Sequence, residues 1–221
     1  MNTDKTKERP ILFSGPMVRA ILNGTKTQTR RVVNPQPSMV TGAGGADCTN
    51  RYTWPDKKSG TQLCEYPSWA NPQMLSQCHH GKPGDRLWVR ETFQYTGPEL
   101  NIDPGYVYRA TDPDWSEMEG FTWKPSIFMP RAVSRILLEI TSVRVERVQD
   151  ITEEDAKAEG IKHGMDAVYA SALLEDKPLC PARREFMLLW DTLNAKRGFG
   201  WDENPWVWVI TFKKITPTST L

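Results

Sequence analysis

Residues 14–24, SGPMVRAILNG, run straight into residues 26–33, KTQTRRVV, and this passage reads as a helix handing over to a strand. Met17, Val18, Ile21 and Leu22 share one helical face. Ser14 suits an N-cap, Pro16 the first turn, and Asn23-Gly24 a left-handed stop. Lys26 to Val33 is rich in β-formers, so a strand follows the helix with almost no linker.

Working outward, WVWVITF at 206–212 is apolar on both faces and predicts a strand with neighbours on either side. A longer β segment spans Ser134 to Val148. There Ile136, Leu138 and Ile140 hold one parity and Val143 and Val145 the other, a phase slip that predicts a bulge or bend. Gly81-Lys-Pro-Gly-Asp85 is a turn opening a strand from Arg86 to Phe93, with Leu87, Val89 and Phe93 on one face. Tyr106 to Tyr108 is a further short strand. Thr152-Glu-Glu-Asp155 is a close variant of the capping box, starting a short helix that ends at Glu159-Gly160. A better helix begins at Pro181, with Phe186, Leu189, Trp190 and Leu193 at core-facing spacing. Residues 34–80 and 94–130 hold no clear periodicity and read as irregular insertions. The expectation is one α+β domain over residues 1–221: a small β-barrel of mixed, mostly antiparallel strands with flanking helices.

The chain has 221 residues, with 28 Lys plus Arg against 27 Asp plus Glu, a net charge of +1. Proteins that grip polyanion backbones carry a marked basic excess, so local recognition of a base or nucleoside fits this charge better than wrapping a backbone. The start, MNTDKTKERPILF, has no apolar signal-like region, and no run approaches about 18 apolar residues, which predicts a cytoplasmic location with no membrane partner. The four cysteines are then expected to be thiols or metal ligands. Cys48, Cys64 and Cys78 with His79 and His80 could staple the long insertion through zinc. Their separations are not those of Cys-x-x-Cys knuckles, so free thiols and surface histidines are the default.

The cluster with most chemical potential is Gly24-Thr-Lys26-Thr27-Gln-Thr29-Arg-Arg31, joined by Glu159. Such residues are also common on exposed strands. A carboxyl in the last turn of a helix, as at Glu159, meets a partial negative charge that disfavours the carboxylate and suits a proton donor. A lysine beside a hydroxyl can activate Thr as a nucleophile. Lys26 and Thr29 have opposite strand parity, so they share a pocket only if the chain is irregular near Thr27 or if Lys26 precedes the strand. Trp88 and Arg90 share parity, and with Glu91 they are candidate pocket residues able to stack on or hydrogen-bond a base; a solvated strand face is the alternative. Trp206 and Trp208, in an apolar strand, read as core.

The helix-Gly-x-Lys-x-x-x-x-Arg arrangement (Gly24, Lys26, Arg31), the Pro83-Gly-Asp85 turn entering a strand and the final Trp-Val-Ile-rich strand resemble the ASCH family of the PUA-like superfamily. In its long form the chain is similar to phage and prophage members. The resemblance covers about residues 10–33, 81–93 and 131–212, and the two insertions depart from the minimal domain. It implies a pseudo-barrel binding RNA (ahead of DNA), a nucleoside or a modified base. One bacterial branch is an amidohydrolase that deacetylates cytidine acetylated on its exocyclic amine. By that resemblance Thr29 would be the nucleophile, Lys26 its activator and Glu159 the proton donor, with Gly24, Thr27 and Arg31 completing the motif. A non-catalytic module reading modified bases, a ribonuclease working through Lys26 and Glu159, and a protein-interaction adaptor are the alternatives.

Overall fold

The computed structural model describes residues 6–40, 51–56, 60–65, 75, 77–97, 105–117, 120–161 and 181–215. The early passage forms α1 (Gly15–Leu22) and β2 (Gln28–Val32), as its pattern predicts. Ahead of them β1 (Glu8–Leu12) was not apparent from the sequence, because Pro10 interrupts a short, half-exposed segment. Proline lacks the amide a ladder needs, and this strand accordingly lies at a sheet edge.

The main sheet also contains β6 (Arg86–Arg90), β9 (Leu137–Arg147) and β10 (Trp206–Ile215), in the order β1-β6-β9-β10-β2. Only β1 and β6 run parallel; the other pairs are antiparallel. The doubly apolar β10 is paired on both sides, as expected. The phase slip in β9 is real: the β9–β10 register shifts where Thr211 pairs Ser142 but Phe212 pairs Ile140, leaving Thr141 extra. The bulge lets Leu138 and Ile140, then Val143 and Val145, enter the same core.

That core lies on one face of the sheet. Val18 and Ile21 of α1 cover Leu87, Val89, Leu138, Ile140, Trp208 and Ile210. On the other face, α2 (Glu153–Ala158) and α3 (Pro181–Asn194) bury Ala156, Phe186 and Trp190 against Val207 and Val209. Thr152 caps α2, its hydroxyl accepting the Asp155 amide at 3.1 Å. In α3 the spacing misplaced Leu193, which is 52% exposed; Asn194 takes the buried position and donates to the Trp190 carbonyl.

Three expectations need correction. The sheet is open, not a closed barrel: β1 and β2 are its edges. The chain just ahead of β2 is paired with the end of α2, since Lys26 bridges Glu159 and the Thr27 amide donates to the Ala158 carbonyl. Phe93 does not continue β6. It opens β7 (Phe93–Tyr95), which pairs with β8 (Tyr106–Tyr108) and packs with Met129 and Val133 in a separate cluster. The 34–80 insertion is not wholly irregular, because β3 (Ser38–Val40), β4 (Arg51–Asp56) and β5 (Gly60–Glu65) form an antiparallel three-stranded sheet. Among the described residues no helix is long and apolar enough to cross a membrane.

Candidate active site

Residues far apart in sequence meet where α1, β2 and the end of α2 converge. Lys26 precedes β2, the second of the two conditions under which it can share a pocket with Thr29. Its side chain is fully buried, and Nζ donates to Glu159 Oε2 at 2.7 Å and to the Glu159 carbonyl at 2.8 Å. Glu159 caps the C-terminus of α2, and Gly160 then turns with φ +84°. A Cβ on Gly160 would lie 2.8 Å from Ala20 Cβ and 3.0 Å from Lys26 Cβ, so a residue with no side chain is what lets the helix end reach the lysine.

Burial pulls the Lys26 ammonium below its ordinary value. Glu159 opposes that pull, while Arg31 and Arg30 reinforce it. A neutral amine is thereby easier to reach here than on the surface.

The β2–β10 register settles which way the strand residues face. Thr29 and Arg31 lie opposite Ile210 and Trp208, members of the α1-side core. Gln28 and Arg30 lie opposite Thr211 and Val209, and Val209 belongs to the α3-side core. Thr29 is buried on the α1 side of the sheet. The Phe13 ring links Arg31 to the lysine, since Lys26 Nζ lies 5.6 Å and the Arg31 guanidinium 5.2 Å from its centroid. Arg31, from edge strand β2, also donates to the Leu12 carbonyl at the end of β1 at 2.7 Å, so a side chain spans the two open edges of the sheet.

On the opposite face lies a charge network that sequence reading missed. Arg30 bonds Glu146, Asp155 at 2.8 Å and Glu159 Oε1 at 3.3 Å. Arg144 closes the ring to Glu146 at 3.0 Å and Asp155 at 2.8 Å, with Gln28 between Arg144 and Asp155. Three cations, Lys26 included, thus meet three carboxylates. Burial works against the Asp155 charge, but Arg30 and Arg144 outweigh it and hold the carboxyl below its usual value. The signal was present only as two polar residues, Gln28 and Arg30, at alternate positions of a strand bordered by apolar ones.

Other candidates sit elsewhere. Thr27 is exposed and contributes through its backbone, whose carbonyl accepts the Phe212 amide. Gly24 ends α1 at φ +75° on the surface. Trp88 and Arg90 alternate with Leu87 and Val89, so they face away from the α1-side core; the Arg90 guanidinium lies 4.8 Å over the Trp88 ring. Glu91 is buried in a two-pronged ion pair with Arg135, at 2.9 and 3.0 Å, and is a clamp rather than part of the Lys26 cluster. Trp206 and Trp208 are core, as their strand implied.

Of the zinc candidates, Cys48 lies outside the described residues, and Cys64 is placed only as a β5 position. Cys78 is buried in the core, where burial pushes its thiol up, which keeps it protonated. The His79 and His80 rings lie 3.9 Å apart between centroids, tilted by 42°. Among the described residues no group of three His, Cys, Asp or Glu side chains could hold a metal.

No protein-family model, no curated protein and no solved structure matches this chain, so the Lys26–Glu159 geometry carries the functional reading by itself.

Proposed function

We propose that the chain is an ASCH-type, PUA-like domain that takes a nucleobase-sized ligand at the Lys26 end of its sheet and hydrolyses an N-acylated cytidine there. The observation that carries this reading is the buried Lys26–Glu159 pair at the head of the strand that bears the buried Thr29.

The chemistry follows from the 2.7 Å hydrogen bond. At rest the pair is ammonium and carboxylate. Moving one proton from Nζ to Oε2 gives a neutral amine and a carboxylic acid, and the net charge is unchanged. The amine then removes the Thr29 proton as Oγ1 attacks the acyl carbon. The carboxylic acid protonates the departing exocyclic amine as the C–N bond breaks. Cytidine leaves, Thr29 carries the acyl group as an ester, and the pair is back in its ionic form. Water attacks the ester, giving the carboxylic acid and free Thr29. Desolvation of Lys26 favours the neutral amine this sequence needs.

The test is incubation of purified protein with N4-acetylcytidine, with release of cytidine followed by chromatography. Thr29→Ala and Glu159→Gln are expected to abolish turnover while ligand binding survives in Thr29→Ala. No cytidine from the wild type ends the hydrolase reading for this substrate. A second reading, base recognition without chemistry, is favoured by the two acceptors already engaging Nζ, because an ammonium so held has no lone pair to offer. Saturable nucleoside binding with an unaltered ligand would establish it.

A further inference from the structure

The region between β7 and the 3-10 turns before β9 holds a groove of about 740 Å3, within the roughly 300–1,000 Å3 of small-ligand sites. Phe93, Tyr95, Tyr106, Trp123 and Phe128 line it, with Lys124. We propose that this groove stacks unpaired bases of a single-stranded nucleic acid while Lys124 takes a phosphate. The ligand class rests on the nucleobase reading of the Lys26 end; the contacts are separate from it.

The rings are arranged beforehand. Tyr95 and Tyr106 stand 5.2 Å apart between centroids and Phe93 and Tyr106 6.3 Å, a continuous run along the β7–β8 pair. Trp123 is held edge-on to Phe121 at 5.0 Å, and its Nε1–H donates to Ser116 at 2.7 Å. The strip carrying Trp123 and Lys124 is tied to β7 by reciprocal backbone bonds between Phe93 and Lys124. At the rim the apolar surface is left open: Phe128 is 70% exposed and Tyr95 50%.

Charge and donor chemistry narrow the partner. Among the described residues of the lining Lys124 is the charged one, and it is exposed, so the complement is an anion-bearing aromatic. Aromatic grooves that read proline-rich peptides use an indole N–H to bond the peptide carbonyl, and here that N–H is spent on Ser116. Ring faces remain, and stacking on them accepts any base. The overall charge of +1 implies that stacking supplies most of the affinity and phosphate contacts little.

The experiment is fluorescence anisotropy of labelled short oligo-uridylate and oligo-deoxythymidylate with the full chain. The wild type is expected to bind with a shallow salt dependence, about 0.7 in log–log slope for one phosphate. Phe128→Ala, at a position exposed enough to leave the fold intact by circular dichroism, is expected to weaken binding roughly five- to hundredfold. Lys124→Gln is expected to flatten the salt dependence. Cytidine release at the Lys26 end should be unchanged in both variants. Oligonucleotide binding without any acetylcytidine hydrolysis would leave this site standing and remove only the Lys26 chemistry. Absence of binding by the wild type at low salt, equal affinity in Phe128→Ala, or displacement of the oligonucleotide by a proline-rich peptide would overturn the proposal.

Discussion

Replacing Glu159 by Gln leaves Lys26 its acceptors but takes away its countercharge. The amide oxygen can stand where Oε2 stood, and the Glu159 backbone carbonyl remains at 2.8 Å. Arg30 keeps Glu146 and Asp155, so it is not orphaned. What is lost is the attraction across 2.7 Å, about 6 kcal/mol gross at an effective dielectric near 20. The full amount is not felt, because a buried lysine can shed its proton. Its cost is then capped at about 1.36 × (10.4 − 7), or roughly 4.6 kcal/mol at pH 7, and at about 2 kcal/mol at pH 9. The expected destabilisation is therefore about 3–4.5 kcal/mol at neutral pH, shrinking by half or more at pH 9. Urea unfolding followed by Trp fluorescence, with wild type and variant compared at both pH values, measures it. Lys26→Met should cost less at pH 7, since Arg30 still faces Glu159 Oε1 at 3.3 Å. A Glu159→Gln cost below about 1 kcal/mol, or one that does not shrink with rising pH, would refute the buried-pair argument.

Gly160→Ala combines a left-handed backbone with a Cβ 2.8 Å from Ala20 Cβ, and should cost about 2–4 kcal/mol in urea while lowering any turnover through displacement of Glu159. His80 is pushed down to about 3, first by burial and then by His79, Arg31 and Arg9. Between about pH 6.5 and about 3 the unfolded chain binds a proton that the folded one refuses, so stability should fall as pH drops through that window. In His80→Asn, thermal melts from pH 7 to 4 should show a flatter acid decline; an unchanged slope would exclude His80 as its source. Thr152→Ala removes the cap on the Asp155 amide and should lower stability by about 1 kcal/mol, read as a shift in the urea midpoint.

Local pattern carried far in this chain. Helical spacing with a Pro start and Gly stop located α1, doubly apolar content located β10 as an interior strand, and a change of parity located the β9 bulge to within a residue or two. Each is a short-range rule, set by backbone sterics and by which face must be dry. The candidate pair also left a trace, because Lys26 stands just outside its strand and Glu159 at a helix end. Where pattern was thin, reading failed: β1 carries a proline, and β3 to β5 sit in a Pro-, Gly- and Ser-rich stretch with little periodicity.

Pairing across distance was decided only by the tertiary structure. Lys26 and Glu159 are 133 residues apart, and Arg30 reaches its carboxylates across more than a hundred. Nothing local selects such partners; they follow from where α2 docks on the edge of β2 and from the missing side chain at Gly160 that permits the docking. The docking pairs the chain just ahead of β2, and β2 itself stays at the edge of an open sheet where the sequence had suggested a barrel. Composition and periodicity set what each segment can bury, whereas a buried charge must be matched in three dimensions, and only the assembled fold supplies the match.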